Sequence, residues 1–235
     1  MLFDLLQGGD PLEIVIRLLT VIPAVLLALV LHETAHGYVA FRLGDPTAKA
    51  LGRLTLNPAK HLDLVGTILM LVTGYGWAKP VPVNARYFKN PKKGMALTAL
   101  AGPVTNLSLG LVFAFLYALF YVLFYRHYYA VAIAGSTALL DILAFMLILF
   151  CGNFAMINVS YAIFNLFPVP PFDGSRVLLL FLPQKWYFAV MRYEKVLMLI
   201  VLIGMASGVL WTPIASVIDF VFAAFIDLAF LILPI

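Results

Sequence analysis

The sequence predicts an all-α integral membrane protein of about five to six transmembrane helices, with a re-entrant, irregular segment, roomy enough for short β-strands, between the first two long helices. Three observations predict it. Of 235 residues, 64% are apolar and 11% charged, with a mean hydropathy of +1.04, whereas soluble chains are roughly a quarter charged. Apolar runs recur at Ile14 to Val39, Leu107 to Phe124, Ala130 to Phe150, Val196 to Leu210 and Ile214 to Leu233. All but the fourth can reach the roughly 20 residues that cross hydrocarbon as a helix, and the fourth does so if its flanks join it. Finally, nine of the fifteen basic residues lie between Arg42 and Lys93, and Arg176, Lys185, Arg192 and Lys195 fall between two later spans. Clustering in alternate loops is the signature of cytoplasmic segments. It accounts for the net charge of +4 without nucleic acid as a partner.

The runs should be helices, because a chain in lipid must satisfy its own backbone hydrogen bonds. The alternating ten-residue segments of a β-barrel are not visible. The first helix starts near Pro11 and ends near Leu43, where Gly44, Asp45 and Pro46 stop it. Residues Met1 to Asp10 carry no basic n-region and the following run is too long for a signal peptide, so it reads as a retained span. Asp45 to His61 is polar and irregular. Leu62 to Thr73 is apolar over only about a dozen residues, too short to cross comfortably, and suits a re-entrant segment. The stretch from Gly74 to Asn84 is punctuated by Gly and Pro and is not helical.

A second long helix runs from about Pro91 to Tyr125, and a third from about Tyr129 to Phe167, where Pro168-Val169-Pro170-Pro171 ends it. Two last spans break at Trp211-Thr212-Pro213 and form a helical hairpin over about 195–235. With Arg42 cytoplasmic, the first helix enters from outside, and the hairpin runs out and back to a cytoplasmic C-terminus. No linker, repeat or low-complexity tract divides residues 1–235, which read as one domain. Cys151 is the only cysteine, which excludes an intramolecular disulfide and a thiolate metal site.

Chemistry enters at His32-Glu33-Thr34-Ala35-His36. Residues four apart share a helical face, so both imidazoles can reach one metal ion. Glu33 falls beside the metal rather than on it, where it can take a proton from a water made acidic by the ion. Ionisable groups inside a spanning helix are costly and usually functional. The bland alternative is that they hydrogen-bond a neighbouring helix. Catalytic zinc usually has three protein ligands, and the third is open among His61, Asp63, His127, Asp141, Asp173, Asp219 and Asp227. His127 and Asp141 fall on the opposite side of this topology. Asp173, after the third long helix at its cytoplasmic end, matches the depth of His36 best.

Three ordered motifs resemble the site-2 protease family of intramembrane zinc metalloproteases, in its compact prokaryotic branch without a PDZ domain. They are His32-Glu33-x-x-His36, Ala101-Gly102-Pro103-Val104-Thr105-Asn106, and Asn165-Leu166-Phe167-Pro168-Val169-Pro170-Pro171-Phe172-Asp173-Gly174. Asn57-Pro58-Ala59-Lys60-His61 and Gly76 to Asn84 are similar to that branch too. The resemblance covers about Leu31 to Arg176 and implies a catalytic core over about 11–176. It implies one zinc ion held by His32, His36 and Asp173, with Glu33 as general base. It also implies an active site near the cytoplasmic side of the cell membrane and, as substrate, a transmembrane helix of another membrane protein. Asn106 and Asn165 match family asparagines near the active site. Asn106 can bind substrate or the developing oxyanion, or bridge helices. The rival functions are a membrane metal transporter or binding protein using the same His/His/Asp site, and a scaffold that never loads metal. Oligomeric state is not legible.

Overall fold

The computed structural model describes residues 11–73, 78–135, 138–183, 186, 190 and 192–233 of the 235. Its long helices are α1 (Pro11–Arg42), α4 (Pro91–Leu123), α6 (Leu139–Asn165) and α9 (Trp211–Ile232). These four are long and apolar enough to cross a membrane. Between them lie α2 (Thr47–Ala50), α3 (Leu64–Thr73), α5 (Tyr125–Ala132), α7 (Asp173–Phe181) and α8 (Glu194–Ala206). No strand forms among the described residues. Among the described residues, the room for β-structure is used by an isolated antiparallel bridge between Leu62 and Ala78. Residues 74–77 of the expected irregular stretch lie outside the described residues.

The helix ends follow local chemistry. After α1 the Gly44 N–H bonds the Phe41 carbonyl at 3.1 Å and the Asp45 N–H bonds the Ala40 carbonyl at 3.0 Å. Gly44 takes φ +107°. This is the Schellman arrangement, which needs a residue tolerant of positive φ. Asn90 opens α4 by accepting the Lys93 N–H at 3.1 Å, with Pro91 at the first helical position. The third long helix is shorter than its apolar run suggests. Residues from Tyr125 form the separate α5, the chain turns near Gly135 at φ +65°, and α6 begins only at Leu139. His127 of α5 clasps Asp141 in the first turn of α6 at 2.6 Å. This pair, with the Tyr128 ring against Phe145, joins the two helices across the break.

The packing is an α1–α4–α6 core with α9 against α4 and α6. In lipid, apolar burial does not drive helices together, so small residues that allow close approach matter most. Ala24, Ala28, Ala114, Ala118, Ala155 and Ala162 are fully or almost fully buried. A Cβ on Gly110 would stand 2.8 Å from Val159 Cγ2. The contacts also fix directions. Asn153 reaches Thr20 at 3.3 Å, and Tyr161 packs edge-on to His32, so α1 and α6 run parallel, with α4 antiparallel to both.

The end of the chain differs from the sequence expectation. Ile214 and Ile218 of α9 pack with Val159, Phe172, Val201 and Met205, at the end of the bundle where α6 finishes. Phe230 instead meets Tyr117 and Tyr121 near the far end of α4. Thus α9 runs away from Asp173 rather than back towards it, and α1 begins where α9 ends. The reason is length: α8 has 13 residues, about 20 Å at 1.5 Å per residue, which falls short of the hydrocarbon thickness.

Candidate metal centre

His32 and His36 point from one face of α1 towards α4 and the start of α7. His32 Nε2 and His36 Nε2 each lie 3.1 Å from Asp173 Oδ2. Among the described residues this is the group of three whose ligand atoms converge, all within 4.8 Å of one another. His32 and His36 side chains are 3% and 10% exposed while Asp173 keeps 23%, so the cluster is reached from the Asp173 side. Burial works against the Asp173 carboxylate, yet the two facing imidazoles outweigh it and hold the group down at about 2.

The opposite edges of both rings are engaged. His36 Nδ1 lies 2.7 Å from the Thr98 carbonyl. A backbone carbonyl only accepts, so Nδ1 carries a proton, and in the neutral ring Nε2 presents a lone pair. His32 Nδ1 lies 2.7 Å from Asn106 Oδ1, which has the same consequence. Two lone pairs and a carboxylate oxygen therefore face one another. Such a set is repulsive unless a metal ion or a second ring proton sits among them, and two imidazoles with one carboxylate is a common catalytic zinc set. Gly102 adds a second indication. A Cβ there would lie 2.6 Å from both Nε2 atoms, so α4 is hollowed out where an ion would be held. The residues fit a metal.

Asp173 is delivered by the joint between α6 and α7. After Asn165 the chain crosses Pro168 to Pro171, with a cis Pro170-Pro171 bond, and Asp173 opens α7, where an acid suits the helix dipole. A Cβ on Gly174 would collide with the backbone of Leu166 and Phe167; only glycine lets α7 start so close to the end of α6. Glu33 is buried, and its Oε2 accepts the Val81 N–H at 2.9 Å. Val81 belongs to a strap over α1. Arg53 donates to the Lys79 carbonyl at 2.7 Å and the Pro80 carbonyl at 3.3 Å. Lys79 N–H reaches the His61 carbonyl at 2.9 Å, and Asn84 N–H reaches Asp45 at 2.6 Å.

Residues 20–211 match peptidase family M50, the family of the site-2 proteases. The chain belongs to that family. The M50 match is supported by YwhC of Bacillus subtilis, which bears a zinc metalloprotease name and is 43% identical over 166 residues, 68% of this chain and 69% of YwhC. Rip2 of Mycolicibacterium smegmatis, named likewise, is 30% identical over 176 residues, 72% of this chain and 59% of that protein. MJ0611 of Methanocaldococcus jannaschii is 33% identical over 118 residues, 49% of each chain. No solved structure matches. As an M50 peptidase the protein is a site-2-protease-like zinc metalloendopeptidase with several apolar helices able to span a membrane.

The other sequence candidates sit elsewhere. His61 is fully buried and bonds the Thr55 carbonyl at 2.8 Å. Asp63 accepts the Gly66 N–H at 2.9 Å at the start of α3, and His127 and Asp141 pair with each other. Asn165 turns back to donate to the Tyr161 carbonyl at 2.9 Å. Asn106 reaches the cluster but is fully buried, with Oδ1 on His32 and Nδ2 on Asn158 at 2.8 Å. Of the two roles read for it, these contacts display helix bridging. Sequence reasoning missed Asn158, the Val81 N–H and the Thr98 carbonyl. A polar amide in an apolar span was a usable signal for Asn158. Backbone groups leave none.

Proposed function

We propose that this M50 peptidase cleaves transmembrane segments of other membrane proteins inside the bilayer, releasing products towards the cytoplasm in regulated intramembrane proteolysis. The observation that carries the reading is the depth of the cluster. His36 and His32 precede the end of a 32-residue apolar helix by six and ten residues, or about 9 and 15 Å. A peptide bond must therefore be brought into the membrane's thickness to meet them. Arg42, Lys49 and Arg53 follow at the same end of α1, which favours the cytoplasmic face. The reading takes α1, α4, α6 and α9 as the spans, with the ten-residue α3 re-entering without crossing.

His32, His36 and Asp173 would hold the zinc ion. The chemistry it supplies when bound is Lewis-acid polarisation of the scissile carbonyl and acidification of a water. Glu33 would take a proton from the attacking water on a carboxylate oxygen as the water oxygen bonds the scissile carbon, and would deliver it to the amine nitrogen as the C–N bond breaks. Val81 holds the carboxylate by its N–H, so Glu33 is oriented before substrate arrives. A helical substrate has its peptide groups hydrogen-bonded to itself, and unwinding is needed first. The extended strap at Ala78 to Asn84, anchored by Arg53 and Asp45, offers an edge on which an unwound segment can add as a strand.

The test is co-expression with a panel of single-span membrane proteins, comparing native protein with Glu33→Gln. The variant should bind one zinc per chain and yield no fragments. Fragments appearing equally with both would remove Glu33 as the base. Zinc-loaded native protein that yields no Glu33-dependent fragment from any span, yet cleaves a soluble unfolded polypeptide, would refute the intramembrane substrate.

A further inference from the structure

We propose that Asn158 is a positioning residue for the metal centre: through Asn106 it fixes the ring proton of His32 on Nδ1 and leaves Nε2 as the metal donor. The inference rests on the zinc site proposed above and asks what this chain does to shape it.

The two histidines are held by different kinds of partner. His36 Nδ1 meets a main-chain carbonyl, which can only accept. His32 Nδ1 meets an amide side chain, and an amide has two faces. Turned one way, Asn106 presents Oδ1, the ring must donate from Nδ1, and Nε2 keeps its lone pair. Turned the other way it presents Nδ2, the Nδ1 lone pair accepts, and the proton moves to Nε2, where it blocks a metal. Something must choose between the faces.

Asn158 makes the choice. Its Nδ2 donates to the Phe154 carbonyl one turn back on α6 at 2.8 Å. That carbonyl cannot donate, so the Asn158 amide has one satisfied orientation, with Oδ1 towards α4. There Oδ1 accepts Asn106 Nδ2 at 2.8 Å, which turns Asn106 Oδ1 to His32 Nδ1 at 2.7 Å. Asn106 and Asn158 are both 0% exposed, so water cannot substitute for a lost partner. A reversed Asn106 would set its Oδ1 against Asn158 Oδ1, oxygen against oxygen, and buried polar groups are seldom left so. The relay Phe154–Asn158–Asn106–His32 thus transmits a fixed main-chain dipole on α6 to a ligand on α1. It also accounts for two amides in apolar helices, where polar groups are costly.

The experiment measures zinc affinity of the purified full-length chain in detergent, by competition with a chromophoric chelator, alongside helix content and melting of the zinc-free protein. Asn158→Leu removes the device and should weaken zinc binding by about 10- to 100-fold, the usual cost of losing a partner behind a ligand. Asn158→Asp keeps an acceptor for Asn106 and, when protonated, a donor for Phe154; it should stay within about threefold of native. The decisive variant is Asn106→Asp in the Asn158→Leu background. A carboxylate has no donating face and needs no orienting, so zinc affinity should recover, although a second change has been made to a buried site. Asn158→Leu binding zinc as tightly as native, a double variant no better than Asn158→Leu, or a folded Asn158→Asp losing tenfold or more would each overturn the relay. Native protein that binds no zinc would instead overturn the metal site itself.

Discussion

Replacing Gly102 by alanine adds one methyl group at the point where α4 faces both histidines. The new Cβ would stand 2.6 Å from His32 Nε2 and from His36 Nε2, and 2.5 Å from His32 Cε1, where ordinary contact begins at 3.4 Å. The helices must therefore yield by about 0.9 Å, the largest shortfall against that ordinary contact. The rings cannot absorb it by rotation, because each is tied at Nδ1 by a 2.7 Å hydrogen bond. The shift must come from α1 moving off α4, and overpacking of this kind costs about 1–3 kcal/mol. Metal sites tolerate errors of only about 0.2 Å in ligand distance, so zinc affinity should fall by at least about tenfold. Gly110→Ala is the control. On the same helix as Gly102, its Cβ would crowd Val159 of α6 at 2.8 Å and touch no histidine, so it should lose comparable stability and keep zinc. Chelator competition gives the affinities, and melting of the zinc-free proteins gives the stability. Gly102→Ala with native zinc affinity, or the two variants losing zinc alike, would refute the argument that Gly102 makes room for the metal.

Two further outcomes are expected. Arg53→Ala leaves the Lys79 and Pro80 carbonyls without their charged donor, a loss of about 1.5–3 kcal/mol for each such bond; proteolysis should fall by at least about tenfold because the strap loosens over Glu33. Zinc content of that variant should stay at one per chain, and joint loss of zinc and activity would show that the strap supports the ligands instead. Stripping zinc with a chelator should lower the melting temperature and abolish cleavage, both restored by added zinc. At free zinc a thousandfold above Kd the linked stabilisation is about 4 kcal/mol, and a melting curve indifferent to zinc would contradict binding at the core of the bundle.

The fold and the cluster were legible to different depths. Helices α1, α4 and the body of α6 could be read because each is a long apolar run closed by residues that cannot continue it: Gly44 and Pro46 after α1, Pro91 before α4, and the proline run after α6. The break between α5 and α6 was not read, because its one local signal, Gly135, lies inside a largely apolar stretch and the fold-back shows itself in tertiary contacts such as His127–Asp141 and Tyr128–Phe145. The direction of α9 was misread because hydropathy counts apolar residues without saying how far a short helix reaches. In the site, the four-residue spacing of His32 and His36 announced a shared face. The orientation of each ring did not show, since it depends on a carbonyl at Thr98 and an amide pair on two other helices.

The same contrast bears on how the centre is assembled. His32, Glu33 and His36 come as a unit with α1, but Asp173 arrives across 137 residues from His36 and is placed by the packing of α7 on the end of α6, with Gly174 against Leu166. Its position is therefore as good as the contact between α1, α4 and α6. Asn158 and Asn106 tie those three helices together through the ligand itself. A displacement of α6 that carried Asp173 away would also pull Asn158 from Asn106 and release the proton of His32. Ligand distance and ligand protonation then fail together rather than in turn, which makes the centre sensitive to helix packing.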